Sequence, residues 1–191
     1  MELHKFCVKF FVENPGAVAL GDVIPVYHRW IQKQAVEGML VDVADYGHLP
    51  QSPGVMLVAH EADYCMDSME GPLGLLYNRK TGSDGLLPDR ITAGFKAALG
   101  ACVKLETEPE FQGKLRFKAG SAIFIANDRL HAPNTEESFQ ALRSDLSAAL
   151  AKVYPSSVEL RRTSTDPRSR LTIQITSSQP VDAAALLSRL A

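Results

Sequence analysis

Cysteine is scarce in this chain of 191 residues: only Cys7, Cys65 and Cys102 occur. Three thiols cannot all pair internally, and no CxxC or Cys/His spacing of a zinc site is present. Reduced thiols in a cytoplasmic protein are the simplest expectation. Surplus charge is lacking too, the formal net charge being −2 with His neutral. That balance argues against a broad basic face of the kind that binds nucleic acid. No apolar run approaches the roughly 20 residues needed to cross a bilayer. The first residues, MELHKFCVKFFVENPG, lack the cationic, apolar and small-residue segments of a secretion signal. There is no Walker A loop, G-x-G-x-x-G turn, G-x-S-x-G elbow or EF-hand loop, so no cofactor is implied.

What is present suits a globular core. Hydrophobic residues make up 46% and charged residues 22%, which needs no disulfide or metal for stability. The stretch 4–13 alternates Phe6, Val8 and Phe10 with Lys5, Cys7 and Lys9, and so predicts a strand. Residues 21–38 predict a helix with Asp22 at its N-terminus, an apolar face of Ile24, Tyr27, Ile31 and Ala35, and Gly38 as its stop. Strands are expected at 39–46 and 55–65, forming a hairpin, and at 72–80. A second helix is expected at 88–105 on a stripe of Ile91, Phe95, Ala98, Leu99, Cys102 and Leu105. Residues 114–127 read as strand, with Gly120 marking either a bulge or a turn. Residues 134–153 give the strongest helix, with Asn134 and Glu137 at capping-box spacing. A hairpin around DPRS and a short C-terminal helix follow.

This order predicts an α+β fold with a mainly antiparallel sheet. Strand, helix, hairpin, helix runs from 4 to 105 and recurs from 121 to 190. The pattern suggests two tandem β-α-β-β-α, ferredoxin-like units, 1–110 (with an extra strand) and 111–191, packed as one compact domain. An open α/β sheet is the alternative, weakened by the adjacent hairpins and the missing phosphate loop.

VAHEADYCMD, residues 58–67, is the densest run of reactive side chains. It resembles HExxH only superficially, because Tyr64 stands where the second His is needed and the segment reads as strand. No metal is expected there. If the 39–65 hairpin pairs symmetrically about its turn, His60 faces Asp42, with Tyr46 and Tyr64 on the same side. An Asp beside a His is the arrangement of a general base. The bland explanation, a pair that holds sheet register, carries the greater weight.

Two further groups can bind an anion. Asn127, Asp128, Arg129 and His131 occupy a polar loop between a strand and a helix start, where amide groups and Arg129 favour negative charge. Asn78, Arg79 and Lys80 form a small cationic cluster that could join Arg129. RRTSTDPRSR (161–170) carries four Arg but no interleaved aromatics, which reads as an exposed hairpin tip rather than an RNA surface. The leading expectation is a cytoplasmic module that binds a small anionic molecule or a regulatory partner, without a membrane. The alternatives are an enzyme using His60 and Asp42, and a homo-oligomer built on a sheet face bearing Val41, Val43, Leu57 and Ala59.

Overall fold

Phe6, Val8, Phe10 and Val12 on one side of β1 (Phe6–Val12) are buried, and Cys7 and Lys9 on the other side are buried as well. A strand shielded on both faces belongs at the centre of a sheet, and β1 is hydrogen-bonded on both edges. The structure, a computed structural model, describes residues 2–49, 51–82 and 84–191. It is an α+β fold with one eight-stranded antiparallel sheet and four α-helices. The remaining strands are β2 (Leu40–Asp45), β3 (Val55–Ala59), β4 (Ala62–Asp67), β5 (Gly74–Arg79), β6 (Phe117–Ala126), β7 (Val158–Arg162) and β8 (Leu171–Ser177). Their spatial order is β2-β3-β4-β5-β1-β6-β8-β7.

The helices are α1 (Val23–Lys33), α2 (Leu87–Thr107), α3 (Glu136–Val153) and α4 (Ala183–Ser188). They share one core with Phe6, Val8, Phe10, Phe124 and Ile173 from one face of the sheet. The expected stripe of α2 is wholly within that core, because apolar residues three and four apart lie on one side of a helix. The opposite sheet face holds a separate apolar cluster made only of strand residues: Cys7, Cys65, Leu76, Ile123 and Ile125, flanked by Phe11 and Met56. Among the described residues no helix is long and apolar enough to cross a membrane.

Several boundaries differ from the sequence expectation. α1 ends at Gln34, which takes the left-handed conformation (φ 47°), rather than at Gly38. Its buried face is Val23, Val26, Tyr27 and Trp30, shifted around the helix from Ile24 and Ile31. Residues 117–126 are one strand. Its pairing with β1 slips between Phe10 and Val12, so Gly120 lies in a bulge. α3 is capped by Thr135, whose hydroxyl accepts from the Ser138 N–H, not by Asn134.

β1 and β6 are antiparallel neighbours at mid-sheet. From β1 the chain crosses by α1 to the β2 edge and returns through four strands; from β6 it crosses by α3 to the β7 edge and returns through two. Every ladder is antiparallel. The expectation of two ferredoxin-like units is therefore met only at the level of class and predominant strand direction.

Candidate functional site

VAHEADYCMD is not one strand. β3 ends at Ala59, His60 and Glu61 make a tight turn, and β4 begins at Ala62. The β2–β3 ladder pairs Asp45 with Val55 next to the turn and so sets Asp42 opposite Val58; its register shifts only beyond that, between Leu40 and Asp42. His60 is exposed, and its backbone N–H donates to the Met39 carbonyl at 2.9 Å. The Asp42 carboxylate accepts from the neighbouring Val43 N–H at 2.8 Å. Tyr64 lies on the helix-covered face, donating to the Glu37 carbonyl at 2.9 Å, and Tyr46 is 39% exposed. The expected pairing of His60 with Asp42 is thus corrected, and the tyrosines do not gather around them. Of the face expected to serve an oligomer, Leu57 and Ala59 belong to the core, while Val41 is exposed.

Strand alternation divides the 78–80 cluster. Lys80 Nζ is occupied by the Ala59 carbonyl and Asp63 Oδ1, each at 2.7 Å. Asn78 faces the helix-free side, where its Oδ1 accepts from Asn127 Nδ2 at 3.2 Å and from Cys7 Sγ at 3.3 Å. Arg79 turns the other way and donates through Nε to the Thr81 carbonyl. Only Asn78, of the three, reaches the 127–131 loop.

That loop is built from the end of β6. The Asn127 N–H continues the ladder to the Lys5 carbonyl at 2.9 Å. Asp128 then closes a turn, accepting from the N–H groups of Leu130 and His131 and from His131 Nδ1 at 2.8 Å. The hydrogen bond from His131 holds the Asp128 carboxyl below its ordinary range, although both side chains are near water. Arg129 Nη1 donates to the Arg168 carbonyl at 2.9 Å. A groove of about 670 Å³ lies here, lined by Lys5, Asn127, Asp128, Arg129, Leu130, His131 and Pro167.

Sequence reading treats the 161–170 basic turn as a separate, exposed tip. The fold brings it against the 127–131 loop. Asn134 Nδ2 holds it by donating to the carbonyls of Ser164 (3.1 Å) and Asp166 (2.8 Å). Arg170 bridges Asn127 Oδ1 at 3.3 Å and Glu70 Oε1 at 2.6 Å. The start of α3, where an anion was expected, is closed by its own Thr135 cap and does not line the groove.

A smaller cavity of about 150 Å³ lies on the helix-free face, lined by Cys7, Cys65, Asp67, Asn127 and Arg170 among others. Nothing in the local sequence signals it, because its walls come from four separate strands and several connecting loops. All three thiols are free and buried. Burial pushes the Cys7 thiol up to about 12, and Cys65 and Cys102 well above their usual range. None is a ready nucleophile at neutral pH. Among the described residues, no three His, Cys, Asp or Glu side chains converge as metal ligands. No known family, curated protein or solved structure matches the chain.

Proposed function

We propose that the protein is a binding module for a small anionic molecule, held in the groove between the 127–131 loop and the 166–170 turn. The observation that carries this reading is the meeting of the 127–131 loop with the 166–170 turn at one groove, whose cationic groups are Arg129 and Lys5. Among the described residues the groove's one carboxylate is Asp128, which is already satisfied by His131 and two backbone N–H groups. That leaves Lys5 and the remaining Arg129 N–H groups to attract an anion, and Arg suits bidentate carboxylate or phosphate recognition. Buried free thiols fit a reducing compartment, so we read the module as cytoplasmic. A general-base enzyme has weaker support, since His60 and Asp42 are apart. We further read 4–105 and 121–190 as related units. Each starts on a central strand, crosses by a helix to a sheet edge and returns to pair beside its first strand.

Calorimetric titration with inorganic phosphate and with citrate tests the function. Saturable binding weakened at least ~10-fold by Arg129→Ala is expected, as for loss of a charge-assisted contact. Lys5→Ala should weaken it less, because an exposed ammonium is mobile and screened. Absence of saturable heat with either anion, or binding unchanged in Arg129→Ala, would overturn the reading.

A further inference from the structure

We propose that a second cavity, beneath the His60–Glu61 turn, binds a small zwitterion of amino-acid size, its carboxylate on Arg79 and its ammonium group at Glu37 and Glu61. The cavity is about 240 Å³ and lies on the helix side of the sheet, away from the anion groove. It absorbs the part of VAHEADYCMD that the groove leaves unexplained.

Its walls are built rather than accidental. The Glu61 carboxylate accepts from the Met39 N–H at 3.1 Å, which fixes its position and holds its pKa below the ordinary range. Gly38 has φ +106°, and a Cβ there would stand 3.1 Å from Glu61 Oε2, so glycine is what lets the carboxylate approach. Tyr64 is locked by its hydrogen bond to the Glu37 carbonyl and meets Tyr77 edge-on, with ring centroids 5.4 Å apart. Arg79 is oriented by its Nε bond to the Thr81 carbonyl.

The charges in this cavity are left open. Among the described residues, Arg79, Glu37 and Glu61 enter no ion pair. Tyr77 is 4% exposed and lines the cavity, where its hydroxyl is hydrogen-bonded to the Arg79 side chain. A guanidinium can only donate, so the phenol proton remains for an acceptor, which a buried O–H usually finds. One guanidinium, the phenol proton beside it and two carboxylates therefore face a single space. A dianion would be repelled by the glutamates, and a simple cation by Arg79. A molecule with one charge of each sign satisfies both walls, and the volume is below that of drug-sized sites.

The test is ligand-observed NMR on the full chain with the common L-amino acids, one at a time. Saturable binding of at least one is expected. The best binder should lose at least ~10-fold in affinity when either its carboxylate or its amine is removed, and a similar amount in Arg79→Gln. Tyr77→Phe keeps the packing and removes only the hydroxyl; it carries the test should Arg79→Gln fail to fold. Phosphate titration of Arg79→Gln and amino-acid titration of Arg129→Ala separate this site from the groove, and each should behave as wild type. No saturable response to any amino acid, or undiminished binding in a folded Arg79→Gln or Tyr77→Phe, would overturn the proposal.

Discussion

Lys9 Nζ lies 2.7 Å from Asp67 Oδ1, with the lysine side chain 0% and the aspartate side chain 2% exposed. The ammonium also donates to the backbone carbonyls of Asp67 and Met69, so all its donors are used. Gly74 makes room for it: a Cβ at that position would sit 2.9 Å from Lys9 Cε. The pair ties β1 to the β4–β5 turn across the helix-free face.

Breaking this pair on one side leaves a buried charge without its partner. Lys9→Met is expected to destabilise the fold by about 3–5 kcal/mol, whereas adding Asp67→Leu to it should recover most of the loss, because a paired ion is often replaceable by apolar groups. Urea denaturation of the wild type, the single and the double variant measures this. A double variant no more stable than Lys9→Met would show that the ion pair itself, not the avoidance of a lone charge, holds the turn.

The thiols should be silent in the folded state. Cys7, Cys65 and Cys102 are each at most 3% exposed, and burial raises every one of their pKa values. A disulfide reagent at about pH 8, near the ordinary thiol pKa, should label native protein only as fast as it unfolds, and all thiols at once in denaturant. Rapid labelling of the native chain would mean that the helix-free face opens.

Asp128 gives a pH dependence of definite sign. Its hydrogen bond from His131 lowers its pKa in the folded state. A lowered folded pKa contributes stability that is fully present above the unfolded value of about 3.9 and is lost as pH falls through the folded value. Thermal melts of wild type and Asp128→Asn should therefore differ at neutral pH and converge in acid. A gap that widens on acidification would contradict the assigned contact.

His60 and Asp42 should behave as strangers. His60 is an exposed turn residue and Asp42 bonds its own neighbour's backbone. His60→Ala should change stability by no more than about 0.5 kcal/mol, as for surface sites generally. In a double-mutant cycle the coupling between the two should vanish within about 0.3–0.5 kcal/mol. A larger coupling energy would restore the pairing that simple hairpin symmetry suggests.

What the sequence determined by itself was local and periodic. Alternation in Phe6–Val12 and the stripe Ile91, Phe95, Ala98, Leu99, Cys102 and Leu105 marked a strand and a helix. Each pattern depends only on the 2.0 or 3.6 period of its own segment. The antiparallel α+β class followed from adjacent hairpins and their spacing. The polar loop at 127–131 was visible as a break between two such periods.

Tertiary structure alone decided the rest. The turn at His60–Glu61 contains no Gly, Asn or Pro, so the chain gives no local sign that one strand ends and another starts. The pairing of Asp45 with Val55 beside the turn, and the shift between Leu40 and Asp42, then gave every residue of that hairpin another cross-strand partner, because register depends on pairing between distant segments. The same holds for the sites. Arg79 parts from Asn78 by strand alternation, Arg129 meets Arg168 across 39 residues, and Arg170 meets Glu70 across 100. The first of these two contacts needs the β6–β8 pairing and the second also the central β1–β6 pair that sets the two halves side by side, so no short window of sequence contains both partners.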